Sequence, residues 1–242
     1  MNASPAGILY LVSTPIGNEG DMTARAADVL RRVKRVAYEE RKEGERLLRR
    51  LGVQAATESL NEHNEEDATA SLIDALTRGE DVALVSDAGT PVFSDPGSLL
   101  VRRAIERKIR IVPVPGASSL LPALIVSGFP LDRFLYYGWL SPKREQRRVE
   151  IRRLRDVPET FVILDTPYRL VPLLQDLSAV LGRSRRVCLA YNLTLPEEEI
   201  FHGTAGDLAA LCASRGLKGE FVLVVEGRGG REFPASGGCS NR

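Results

Sequence analysis

The residues of this chain best placed to do chemistry fall in one stretch, Val82-Ala83-Leu84-Val85-Ser86-Asp87-Ala88-Gly89-Thr90-Pro91-Val92-Phe93-Ser94-Asp95-Pro96-Gly97. Its four leading apolar residues read as a buried strand. A loop follows with two Gly, two Pro and two Asp, and the chain resumes as a helix near Ser98. Gly permits positive φ and lets a ligand approach the main chain, while Pro stiffens its neighbours. Asp87 stands just past the strand end, where α/β sheets take their ligands. The competing reading is a tight turn in which Asp87 and Asp95 are turn formers or helix caps.

Three more strand ends share this character. Leu11-Val12 runs into Ser13-Thr14-Pro15, Val112 to Val114 into Pro115-Gly116, and Ile163-Leu164 into Asp165-Thr166-Pro167. In parallel sheets such carboxyl ends lie on one edge, so a small-molecule cleft between two domains is expected. No GxGxxG follows the first strand and no GxxxxGK(S/T) occurs, which disfavours a dinucleotide enzyme or a P-loop NTPase. There is no GxSxG, and Cys188 reads as a mid-strand residue without a partner, which disfavours nucleophilic catalysis. His63 and His202 sit in no metal-ligand spacing, so no metal is expected. A pocket of backbone, small side chains and an occasional carboxylate suits a nucleoside with an amino-acid tail.

One segment is built for polyanions. Lys143, Arg144, Arg147, Arg148, Arg152, Arg153 and Arg155 face only Glu145 and Glu150. Helical spacing places Arg144, Arg148, Arg152 and Arg155 along one stripe suited to phosphates. Arg31, Arg32, Lys34 and Arg35 form a second cluster. The alternative for both is a solvated helix face with i,i+4 pairs.

The elements that must position these residues alternate strand and helix. Strands are predicted at Ile8–Val12, Val33–Tyr38, Ala55–Leu60, Val82–Val85 and Ile109–Val114. Helices are predicted at 24–32, 45–51, 68–78 and 98–107. The second half predicts a helix at 119–127, strands at 133–137, 160–164, 186–191, 198–201 and 221–226, and helices at 144–154, 172–181 and 206–213. Short connections between alternating elements predict a parallel α/β sheet in the first half, and the two halves together predict two α/β domains, 1–116 and 117–242. The tail 228–242 is polar and Gly-rich and is expected to fray.

Length and composition set wide bounds: 242 residues, 43% hydrophobic, 27% charged and a net charge of +1 give no global case for nucleic acid or membrane. Cys188, Cys212 and Cys239 form no CxxC pair, which fits a reducing, cytoplasmic setting. Met1 to Gly7 has no basic region before an apolar core, so no secretory signal is expected. Ile111 to Leu131 is 21 residues without a charge, yet Pro113, Pro115, Gly116, Pro122, Gly128 and Pro130 break it, and it reads as core, not as a membrane span.

Five stretches together carry a resemblance: Tyr10 to Asn18, Glu62-His63-Asn64-Glu65, Ala83 to Gly97, Pro113 to Ser119, and Lys218 to Gly227. Over about residues 8 to 227 the chain resembles the tetrapyrrole methylase superfamily, and within it the branch that methylates the ribose 2′-hydroxyl of a cytidine in 16S rRNA. The resemblance implies a two-domain α/β fold of class III methyltransferases, a homodimer, and S-adenosylmethionine held in a cleft between the domains. By position, Pro15, Leu84, Asp87, Val92, Ser118, Ser119, Leu164 and Ala190 would line the cofactor pocket, with 16S rRNA or the 30S subunit as partner. Candidates for a base that takes the ribose proton are His63, Glu62 and Glu39. Three acceptor-side motifs depart from the family's: Ala37-Tyr38-Glu39-Glu40-Arg41-Lys42, Asp165-Thr166-Pro167-Tyr168-Arg169 and Ala190-Tyr191-Asn192-Leu193-Thr194-Leu195. They leave two alternatives open, methylation of a tetrapyrrole or another small molecule, and a paralogue that binds the cofactor without catalysis.

Overall fold

The computed structural model describes residues 6–228. The tail from residue 229, Cys239 and the first five residues lie outside the described residues. The chain divides into two compact units, Met1–Ser118 and Ser119–Arg242.

The first unit runs β1 (Ile8–Val12), a 3-10 turn (Glu19–Asp21), α1 (Ala24–Arg32), β2 (Arg35–Tyr38), α2 (Arg41–Leu51), β3 (Ala56–Ser59), α3 (Glu65–Thr77), β4 (Val82–Val85), α4 (Ser98–Glu106) and β5 (Arg110–Val114). Its sheet is parallel throughout, in the order β3-β2-β4-β1-β5. Both faces are covered, and strand periodicity sorts the side chains between them. Leu9, Ala37, Val82 and Leu84 pack with Leu72, Leu76 and Leu100 of α3 and α4. Val12, Val36, Tyr38, Ala83 and Val85 pack with Val29, Leu30, Leu47 and Leu48 of α1 and α2. β4 is buried at all four positions, which is why it reads as a continuous apolar run.

Two helices start earlier than the sequence predicts. α2 begins at Arg41 rather than Glu45, so the charged run forms its first turns, held by ion pairs Arg41–Glu45 at 2.6 Å and Arg46–Glu43 at 2.8 Å. Only Gly44, Leu47 and Leu48 are buried in α2, too few to reveal its period. α3 begins at Glu65 rather than Ala68, with Glu65, Glu66 and Asp67 in the first turn, where the helix dipole favours negative charge.

The second unit runs α5 (Leu120–Ser127), β6 (Phe134–Trp139), α6 (Arg144–Leu154), β7 (Thr160–Asp165), a 3-10 turn (Pro167–Arg169), α7 (Leu170–Leu181), β8 (Arg186–Tyr191), β9 (Glu199–Thr204), α8 (Ala205–Arg215) and β10 (Phe221–Val225). Its sheet order is β6-β7-β10-β8-β9, and only β6 and β7 are parallel. The second domain is thus α/β as expected, with a mixed sheet. The link from β8 to β9 is too short for a crossover helix, so the two pair as a hairpin. β6 also continues through Gly138 and Trp139, two residues past its predicted end. A bulge after Tyr136 absorbs the extra residue, and Gly138 takes φ 81 there. The core joins Phe161, Ile163, Leu189 and Leu223 to Leu173, Leu177, Leu208 and Cys212. Cys188 is a free, buried thiol whose pKa burial pushes up to about 11, an inert packing residue. Among the described residues no helix is long and apolar enough to cross a membrane.

Candidate functional site

Three of the four strand-end loops are stitched together at the carboxyl edge of the first sheet. Thr14 and Gly89 exchange backbone hydrogen bonds, N–H of Thr14 to O of Gly89 at 2.9 Å and the reverse at 3.1 Å. The Thr14 hydroxyl donates to the Ser86 carbonyl at 3.0 Å, and the Ser13 and Thr90 hydroxyls meet at 3.2 Å. The Ser13 N–H donates to the Val114 carbonyl at 3.1 Å, which ties in β5. The fourth loop, Asp165-Thr166-Pro167, belongs to the other unit's sheet. There Asp165 is buried, accepts from the Thr166 N–H at 2.7 Å and pairs with Arg169 at 3.1 Å.

The loop after β4 holds an unusual backbone. Gly89 takes φ 86, Gly97 φ 116, and the non-glycine residues Val92 and Ser94 take φ 70 and 69. For a β-branched residue such as Val92 this costs about 1–3 kcal/mol, and such outliers gather at functional sites.

Three carboxylates sit around this loop. Asp87 Oδ1 accepts from the Glu40 N–H at 3.1 Å, and Asp95 Oδ2 accepts from the Ser86 hydroxyl at 2.6 Å. Burial raises the pKa of each of Asp87, Asp95 and Glu39. The hydrogen bonds from the Glu40 N–H and the Ser86 hydroxyl oppose the shift at Asp87 and Asp95 respectively. Asp95, Asp87, Glu40 and Glu62 push Glu39 higher still, and Glu40, Asp95 and Glu43 do the same at Asp87. The charged neighbours that move Glu39 and Asp87 are all acids. A partly desolvated acidic cluster of this kind is suited to a cationic ligand.

Of the predicted bases, Glu39 joins this cluster at the end of β2. Glu62 and His63 point to solvent on the connection between β3 and α3, with His63 Nε2 3.5 Å from Glu62 Oε1. Of the predicted cofactor residues, Pro15 and Val92 are half-buried in the stitched loops, and Leu84 lies beneath them in the core. Ser118 ends the first unit. Ser119 begins the second at the N-cap of α5, its side chain making no capping bond. Leu164 is half-buried in β7, and Ala190 has no exposed surface in β8.

A cavity of about 340 Å³ opens in the first unit between the stitched loops and α2. Pro15, Asp87 and Ala88 line one side and Gly44, Arg46 and Arg50 the other. Arg50 pairs with Glu19 and Arg46 with Glu43.

The basic stripe of α6 is less uniform than its spacing implies. Arg147, outside the predicted stripe, is buried and grips Asp176 of α7 through Nε at 3.0 Å and Nη2 at 2.7 Å. Arg144 Nε lies 3.3 Å and Arg148 Nε 3.8 Å from the same carboxylate, while Arg152 and Arg155 face solvent. In the second basic cluster, Arg35 is committed to Glu58 and Glu80.

Sequence reasoning missed two residues. Asp176 is the lone charged residue in a mostly apolar helix that follows a basic one in the chain, and that contrast was the available signal. Glu65 accepts from the N–H groups of Gly97 and Leu99, which nothing in its local sequence announces. No group of three or more His, Cys, Asp or Glu able to hold a metal ion occurs among the described residues.

The fold, a parallel five-stranded sheet followed by a mixed five-stranded one, is shared with solved tetrapyrrole methyltransferases. A solved cobalt precorrin-4 methyltransferase superposes with a TM-score of 0.65 over 90% of this chain and 94% of that one, at 15% identity. A uroporphyrin-III-C-methyltransferase from Thermus thermophilus gives 0.61 over 91% and 94%, at 24% identity. The chain belongs to the family of tetrapyrrole (corrin/porphyrin) methylases, whose profile matches residues 8–209. Within it, the chain is 45% identical over 223 residues to a ribosomal RNA small subunit methyltransferase I from Micromonospora olivasterospora, covering 92% of this chain and 71% of that protein. The protein of the same name from Escherichia coli O157:H7 is 42% identical over 228 residues, covering 93% and 80%.

Proposed function

We propose that this protein transfers the methyl group of S-adenosylmethionine to RNA of the small ribosomal subunit, at the ribose 2′-hydroxyl of a cytidine in 16S rRNA. The observation that carries the donor half is the acidic cluster of Glu39, Asp87 and Asp95 beside three interlocked loops. S-adenosylmethionine carries a sulfonium and an ammonium, and partly desolvated carboxylates offer both a matching field. The donor set fits the group. Pro15, Leu84, Asp87, Val92 and Ser118 would hold it. The acceptor half rests on relatives named as ribosomal RNA methyltransferases, at 45% and 42% identity over most of the chain.

When bound, the donor supplies a methyl group already activated by the sulfonium. The protein's own part is orientation and proton management. Loops locked by the Thr14–Gly89 bridge fix the donor side, and well-held geometry is worth several kcal/mol of barrier, on the order of 7–11 at best. Glu39 stands in the acidic cluster beside the stitched loops, whereas Glu62 and His63 face solvent, so Glu39 is the base best placed for the hydroxyl proton. In this reading the protein works in the cytoplasm as a homodimer on the 30S subunit or its RNA.

The test is label transfer from methyl-labelled donor to 30S particles, to free 16S rRNA and to a panel of porphyrinoids. Label in the 2′-O-methyl position of one cytidine is the expected result. Label in a porphyrinoid alone would assign a small-molecule acceptor. Donor binding without label anywhere would assign a binding protein.

A further inference from the structure

We propose that the carboxyl edge formed by β6 and β7 is a stacking platform for single-stranded RNA, with Trp139 and Tyr168 as its rings and Lys143, Arg144 and Arg148 as its cationic rim. It rests on the reading that the acceptor is RNA and names the surface that would grip it. Trp139 ends β6 and is 51% exposed, while Tyr168, just beyond β7, is 85% exposed. The two strands are parallel neighbours, with Trp139 opposite Leu164, so both rings leave the sheet from the same edge. Arg169 Nη2 donates to the carbonyls of Leu140 and Ser141 at 3.0 and 2.9 Å. That clamp fixes the turn carrying Tyr168 against the residues that follow Trp139, so the rings stand on a rigid base.

The rim stays cationic with its acids counted, since Lys143, Arg144 and Arg148 outnumber Glu145 and Glu150 of the same segment. Arg144, Arg147 and Arg148 converge on one buried carboxylate, Asp176. Arg147 engages it bidentately in the interior, which leaves two positive charges on Arg144 and Arg148, with exposed Lys143 beside them. Exposed aromatic faces with a cationic border match a chain whose bases offer π-faces and whose phosphates offer negative charge. Duplex RNA buries its base faces in its own stack and offers little to these rings.

Trp139 is the single tryptophan of the chain, so intrinsic fluorescence reads this surface directly. The full-length protein is titrated with a short cytidine-containing single-stranded oligoribonucleotide, and with a duplex of the same sequence. The expected result is saturable quenching by the single strand, weakened by added salt, and little response to the duplex. Trp139→Ala and Tyr168→Ala, read by anisotropy of labelled RNA, should each weaken binding about ten-fold, the loss of one base stack. Arg144→Gln with Arg148→Gln should flatten the salt dependence. Donor affinity by calorimetry should not change in either ring variant, and melting temperature should not change in Tyr168→Ala, whose ring is 85% exposed. Unchanged RNA affinity in both ring variants overturns the proposal, even where 30S particles are methylated normally. Trp139 fluorescence that follows protein concentration and ignores RNA also overturns it, and assigns the edge to a second copy. Quenching by single-stranded RNA without methyl transfer to 30S particles upholds the platform and sinks the methyltransferase reading instead.

Discussion

The carboxylate of Glu65, in the first turn of α3, accepts the backbone N–H of Gly97 at 2.9 Å and of Leu99 at 3.3 Å, and so caps α4 from a different helix. The cap cannot come from the usual place. Gly97 occupies the N-cap position at φ 116, and a Cβ there would lie 2.7 Å from Leu84 Cδ2. Any capping side chain at position 97 would be strained and would collide with the core. Glu65 supplies the missing acceptor and anchors the far end of the loop that begins at Ser86.

Glu65→Ala should therefore cost about 1 kcal/mol of stability, the usual worth of an N-cap. Glu65→Gln, which keeps an acceptor oxygen, should recover much of it. Calorimetry adds the functional measure: the alanine variant should bind S-adenosylmethionine more weakly, because the loop carrying Asp87 and Val92 has lost an anchor. Urea melts that separate neither variant from the parent would refute the capping role.

Gly44 tests the face between α2 and β2. A Cβ there would lie 2.2 Å from Tyr38 Cδ1, deep in a packed interface. Gly44→Ala gains up to about 1 kcal/mol of helix propensity but should lose more through overpacking, which typically costs about 1–3 kcal/mol. Net destabilisation in urea melts is expected. A more stable variant would mean that Tyr38 swings aside freely.

Asp176 is 1% exposed beneath three arginines. Asp176→Ala leaves Arg147 buried without its counter-charge and should cost about 3–5 kcal/mol. The double change Asp176→Leu with Arg147→Met, which removes both charges, should be far milder than either single charge removal. Equal losses in the single and double variants, measured by denaturant midpoints, would deny the pairing its structural role.

Much of this architecture was legible in the residues because burial writes itself into strand periodicity. Val82–Val85 reads as a fully buried strand and is one, and α1 spans its predicted range while α2 stops at its predicted end, Leu51. The starts of α2 and α3 were hidden because their first turns are solvated charges, which carry helix-dipole and ion-pair information but no apolar period. The mixed second sheet was hidden for another reason: strand direction depends on the path of the chain between strands, which side-chain pattern does not encode. At the site, Asp87 was readable from its place after a strand. The partnership of Asp95 with Ser86 and the reach of Glu65 to Gly97 are contacts between distant segments that spacing cannot reveal, and the same folding brings Asp87 and Asp95 into the field of Glu39.

The acidic cluster gives a pH dependence with a definite sign. Asp87, Asp95 and Glu39 have folded-state pKa values raised above their ordinary ones, chiefly by burial. The folded state thus holds more protons than the unfolded chain across that interval, and these groups lower stability as pH rises from the ordinary carboxylate range through their raised values. A bound cation reverses the preference by favouring the ionised acids. Affinity for S-adenosylmethionine should therefore strengthen with pH over the same interval, with release of protons on binding. S-adenosylhomocysteine lacks the sulfonium charge and should show a shallower dependence. Calorimetry in two buffers of different ionisation enthalpy measures the protons released. Asp87→Asn or Glu39→Gln should reduce that number and bring the two ligands' pH profiles closer together. Identical profiles for both ligands in the parent protein would show that the carboxylates do not sense the sulfonium, and the donor would then have to be placed away from Asp87.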